Sequence, residues 1–171
     1  MMQTKSILTH TFVKSALQTA KLFLEGNGDL APLLFVDYAS GKGDRIRMVM
    51  PDTYEQKRDA FTALGEHLRN TDGPISEALL IMEGWFVSGK DAPDVTAMRP
   101  SQHPKRQEAI VLVGRNAANS RQTSVVQPFT RNGDNRPEWD KHPIASYNQP
   151  VQPGYRAEGL LDYLFPTAKQ A

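Results

Sequence analysis

The chain contains no cysteine. Disulfides, thiolate metal sites and a thiol nucleophile are therefore excluded, and a reducing cytosol is its expected location. Long hydrophobic runs are absent too. No stretch approaches the roughly 20 apolar residues of a membrane helix, and Met1 to His10 lack an apolar segment ending in small residues. Neither a membrane span nor a secretory signal is expected. Charge of one sign is also missing: the formal net charge is +1, without the strong basic excess of a general nucleic-acid binder. Aromatics amount to only 8 % of residues, too sparse for a base-stacking platform.

What is present describes a globular protein. With 171 residues, 39 % hydrophobic and 23 % charged, the chain is long enough for a real core and is read as a single domain over 1–171. A helix is predicted from about Thr9 to Glu25, where Phe12, Ala16, Ala20 and Phe23 recur beside Val13, Leu17 and Leu24, with Gly26-Asn-Gly28 to stop it. Pro32–Val36 and Arg45–Met50 flank the turn Ser40-Gly-Lys-Gly-Asp44 and read as a hairpin, with Ile46, Met48 and Met50 on its inner face. Gly41-Lys-Gly43 is thus a hairpin turn and not a phosphate loop, which would need a strand before it and a helix after it. A capping-box pattern at Asp52-Thr53 opens a second helix that ends before Thr71-Asp-Gly-Pro74.

Strands are predicted over 75–87, 108–113 and 123–130, with a loop over 88–104 and a turn at Asn132-Gly133. Residues 134–155 hold four prolines and read as an irregular surface segment, and a short helix over 157–165 closes the chain. The expected fold class is α+β: a mainly antiparallel sheet of about five strands, two main helices packed on one face, and a short C-terminal helix.

Chemistry-bearing residues gather around Pro100-Ser-Gln-His-Pro-Lys-Arg-Gln-Glu108, which runs into Ala109-Ile-Val-Leu-Val113. If the strands at 77–87 and 108–113 pair, alternation sets Glu83 and Trp85 near Arg106 and Glu108. Two readings follow. In one, His103, Glu83 and Glu108 are acid, base or ligand groups in a pocket walled by Trp85. In the other, Arg106 pairs with Glu83 or Glu108, and the region pins the loop to the sheet.

Metal and cofactor sites are not expected. His10, His67, His103 and His142 share no ligand spacing, and nothing in their placement makes Glu77, Glu83 and Glu108 a divalent site. Residues 99–136 carry a net +5, so Lys105, Arg106, Arg115 and Arg121 are binding candidates, with Trp85 as an aromatic contact.

The Glu83-Gly-Trp85 strand, the proline loop and Pro100-Ser-x-x-Pro104-x-Arg106-x-Glu108 resemble stretches of small uncharacterised bacterial and phage proteins. The resemblance covers residues 75–113 and implies no activity, but it favours a built-in pairing of Arg106 and Glu108 with Glu83. The leading expectation is a non-catalytic binding or accessory module that engages a protein partner or a second copy of itself. A hydrolase using His103, Glu83 and Glu108 is the alternative, and nucleic-acid binding through 99–136 is a third reading.

Overall fold

The structure is a computed structural model that describes residues 6–87, 102–117, 121–139, 142–150 and 158–166. Its elements are α1 (His10–Asn27), β1 (Leu33–Tyr38), β2 (Gly43–Arg47), α2 (Tyr54–Asp72), β3 (Ile75–Phe86), β4 (Gln107–Asn116), β5 (Arg121–Arg131), β6 (Pro137–Glu138), β7 (Ile144–Pro150) and a C-terminal 3-10 helix, Glu158–Leu164.

Each helix starts and stops where its sequence chemistry directs. The Thr9 hydroxyl accepts from Phe12 N–H at the start of α1, and Gly28 ends it in the left-handed region at φ 79°. Thr53 and Gln56 form the reciprocal capping box that opens α2. The β1–β2 turn closes with Gly41 at φ 91°, again a conformation that favours glycine.

The strands form one antiparallel sheet in the order β2-β1-β3-β4-β5-β6, with β7 also pairing β5. It is larger than the five strands expected. Part of the 134–155 segment, read as irregular, contributes β6 and β7: Ile144, Ala145 and Ser146 lie opposite Val126, Val125 and Ser124. Their sequences lack the apolar alternation that marks a strand, because they form one outer edge of the sheet and are held by backbone pairing.

The two helices do not share a face. Leu79 and Ile81 of β3 pack with Val13, Leu17 and Leu24 of α1, whereas Ala78 and Leu80 pack with Phe61 and Leu68 of α2. Successive strand residues point to opposite sides, so the sheet is sandwiched between α1 and α2. The physical reason lies in β3 and β4. Leu79-Leu80-Ile81 and Ile110-Val111-Leu112-Val113 are apolar in both parities, and both sides need cover.

The 3-10 helix completes the α2 side with Leu160, Leu161 and Leu164, all buried. Its backbone lies directly on Gly65, and Arg69 donates to the Leu164 carbonyl. A methyl group at Gly65 would sit 2.6 Å from that carbonyl oxygen and 2.7 Å from Leu164 Cα. Gly65→Ala is therefore expected to lower stability by about 2 kcal/mol, read as a lower Tm with faster proteolytic loss of the C-terminal segment. An unchanged Tm would show that the segment is not seated there.

Candidate functional site

The β3–β4 pairing expected from sequence is present, with Glu83 opposite Ile110 and Trp85 opposite Glu108. Alternation places Glu83, Trp85 and Glu108 on the α1 side, at one end of the sheet. Phe129 of β5 lies opposite Glu108, and two residues further on the same side comes Arg131. Helix α1 terminates over the same corner.

Arg131 joins these parts. Its Nε lies 3.2 and 3.1 Å from the two Glu108 oxygens, and its Nη2 lies 3.7 Å from Glu83 Oε2. Its Nη1 donates to the carbonyls of Gly28 at 3.0 Å and Asn135 at 3.2 Å. One guanidinium thus bridges two carboxylates, the C-terminal cap of α1 and the β5–β6 turn. No basic residue lies in the last turn of α1, so Arg131 brings positive charge to the negative end of that helix from another strand. Glu83 also accepts the Leu30 N–H, which fixes the chain leaving α1.

Burial raises the pKa of Glu83 above its ordinary value. The Leu30 N–H and Arg131 oppose that shift, and the neighbouring charges of Glu108 and Asp29 add to it.

The other predicted residues are placed differently. Arg106, expected to pair with Glu83 or Glu108, instead lies over the Trp85 ring at 4.8 Å. Arg131 occupies the role assigned to it. The reason is reach: Arg131 is in the strand beside Glu108, whereas Arg106 precedes β4 in a tight turn with its N–H on the His103 carbonyl. His103 does not join the carboxylates, since its Nδ1 accepts from Lys105 N–H at 3.0 Å within that turn. Lys105 is exposed.

Arg115 forms an ion pair with Asp162 and holds the 3-10 helix on the α2 side. Arg121 begins β5 opposite Asn116 and, by alternation, belongs to the α1 side. Arg115 and Arg121, two of the binding candidates in 99–136, therefore lie on opposite faces. Glu77 lies six residues from Glu83 along β3, about 20 Å, where it accepts from Ser6 Oγ and Ile7 N–H. The three carboxylates considered for a cation do not meet. Among the described residues no group of three His, Asp or Glu side chains gathers as cation ligands, and no helix is long and apolar enough to cross a membrane. Of the loop over 88–104, residues 88–101 lie outside the described residues.

A second feature on the α1 side escaped the sequence reading. Helix α1 lies over β3, β4 and β5 and leaves β1 and β2 partly open, so a cleft of about 170 Å³ runs beside it. Phe12, Thr19 and Phe23 form its helix wall, Leu33 and Phe35 its floor, and Arg45 its rim. Phe23 is 47 % exposed. The signal was available in the width of the α1 apolar arc: Phe12 and Phe23 lie to one side of the buried Val13–Leu17–Leu24 stripe and cannot all reach the same core.

No family model, curated protein or solved structure matches the chain.

Two predictions follow from the Arg131 geometry. Arg131→Ala leaves two half-buried carboxylates facing each other and is expected to cost about 2 kcal/mol, less than full burial would impose because all three side chains retain some solvent. Arg106→Ala removes an exposed cation–π contact and should cost about 0.5–1 kcal/mol. Urea titration of both variants decides between the two arginines, and equal losses would contradict the assignment. The raised Glu83 pKa means that the folded state holds this proton more tightly than the unfolded chain. Its contribution to stability is full below the ordinary carboxylate range and is lost as pH rises through the elevated folded pKa. Wild type should therefore lose stability relative to Glu83→Gln across that mildly acidic window and hold a constant difference above it, as measured by Tm against pH.

Proposed function

We propose that the protein is a non-catalytic binding module that engages another protein through its α1 face. The observation that carries this reading is the contrast between a closed polar cluster and an open apolar cleft on that face. Glu83 and Glu108, the carboxylates that acid–base chemistry would use, are committed to Arg131 and to the Leu30 N–H. His103 is committed to its own turn. The raised pKa of Glu83 favours proton chemistry, but a hydrolase also needs an approach for substrate and a partner base, and the neighbours of Glu83 are structural. The division of Arg115 and Arg121 between opposite faces likewise weakens the case for a nucleic-acid surface. The cleft, in contrast, keeps aromatic side chains in contact with solvent, as interaction surfaces do. The absence of cysteine fits a cytoplasmic setting.

The test is site-specific photo-crosslinking in cells that naturally express the protein. A benzophenone amino acid at Thr19, in the cleft, should give a discrete adduct, and the same probe at Glu66, on the exposed face of α2, should not. Adducts at neither position, or the same adducts at both, would overturn the reading.

A further inference from the structure

We propose that the cleft beside α1 receives an acidic amphipathic helix from a partner protein, laid alongside α1 over β1 and β2. This rests on the binding-module reading above and names the occupant.

The dimensions suit one helix. From Phe12 to Phe23 the helix wall runs about 16 Å, which corresponds to three turns. The floor from β3 to β2 spans two strand spacings, about 10 Å, close to the width of a helix. On the opposite side of the sheet α2 and the 3-10 helix bury Leu34, Val36 and Tyr38 of β1, whereas Leu33 and Phe35 of the same strand have only partial cover on the α1 side. An added helix would give β1 the cover on this side that it already has on the other.

The charge at the rim selects the partner. Arg45 and Arg47 of β2 both point to the α1 side and are exposed, and Arg45 lies over the Phe35 ring at 5.4 Å. Among the described residues neither has a carboxylate partner, and Arg45 is the one charged residue lining the cleft. Asp37, further along β1, has its carboxylate beside Gly43. A helix with an apolar stripe at three- and four-residue spacing, and Asp or Glu on the flank toward β2, would fill the aromatic floor and pair both arginines.

A second copy of the chain fits less well. Two-fold pairing through the open edge of β2 would set Arg45 against Arg45 or Arg47 of the other copy, an unfavourable like-charge contact. The outward face of α2 offers Glu55, Arg58, Asp59, Thr62 and Glu66, with no apolar stripe to enter the cleft.

The probe is a pair of stapled 14-residue helices with the same leucine stripe, one carrying four Glu on the flanks and the other four Lys. Each is titrated into isotopically labelled full-length protein and followed by amide shifts. The acidic helix should bind at least tenfold more tightly than its Lys twin, with shifts centred on Thr19, Phe35 and Arg45. The double variant Arg45→Glu/Arg47→Glu should reverse that preference, and Thr19→Arg, at an exposed α1 position, should abolish binding while leaving the circular dichroism spectrum intact. Equal binding of the two helices, shifts elsewhere, or no saturation would overturn the acidic helix as occupant. So would a dimer in light scattering that Thr19→Arg dissociates. In the no-saturation case a discrete Thr19 crosslink would still support the binding module, so the two proposals fail separately.

Discussion

The central strand pair imposes the architecture. β3 and β4 are apolar in both parities, so neither side of the sheet can face water, and the chain must supply two covering layers from few residues. Leu79, Ile81, Ile110 and Leu112 are covered by α1, and Ala78, Leu80 and Val113 by α2 with the 3-10 helix. Burial on this scale is the dominant favourable contribution to folding. The order of elements follows from it. The β1–β2 hairpin stands between the two helices in sequence, so the chain can place α1 on one side of the sheet and α2 on the other.

Two covers of unequal extent create the distinctive surface. On the α2 side the C-terminal 3-10 helix widens the cover, and it can do so because Gly65 permits direct backbone contact and because Arg69 and Arg115 hold it there. On the α1 side the cover among the described residues is one helix with Ile7 and Leu8 ahead of it and Trp139 and Tyr147 beside it. The helix is drawn toward β4 and β5 by Phe129 and by Trp139, whose indole N–H donates to Glu25 while Lys21 lies over its ring. Arg131 then fixes the helix terminus to the same end. Each of these contacts pulls α1 away from β1 and β2, and the cleft is their geometric consequence.

Local signals were the legible part of the sequence. Thr53 and Gly28 act through neighbours within four residues, and the capping box and the β1–β2 turn stand where their residue types indicated. The pairing of β3 with β4 was also readable, since two dense apolar strands joined by one connection are natural neighbours. The side each helix occupies was harder to read, although the double-parity runs in β3 and β4 carried that information. β6 and β7 were missed because their strand character comes from pairing with β5. In the polar corner Glu83, Trp85 and Glu108 were anticipated, but Arg131, which joins the carboxylates, was not, and His103 stays out of the cluster. Arg106 and Arg131 are equivalent as residue types beside Glu83 and Glu108, and only the β4–β5 register, which sets Phe129 opposite Glu108, brings Arg131 within reach.

That register also bears on how the carboxylates should be understood. A pair of glutamates beside a tryptophan and a histidine looks like reactive chemistry when read along the chain. In space, the arginine between them makes five-way use of one guanidinium: two carboxylates, a helix cap, a turn carbonyl and the face of Phe129, over whose ring it lies at 5.3 Å. A group so fully engaged would have to surrender structural contacts to take part in a reaction, and the end of α1 would loosen with it. Reactive sites tolerate some strain of this kind, but here the same contacts that would be surrendered hold the helix wall of the cleft. The polar corner and the cleft are thus two ends of one arrangement, the first fixing the position of α1 and the second using the space that position leaves.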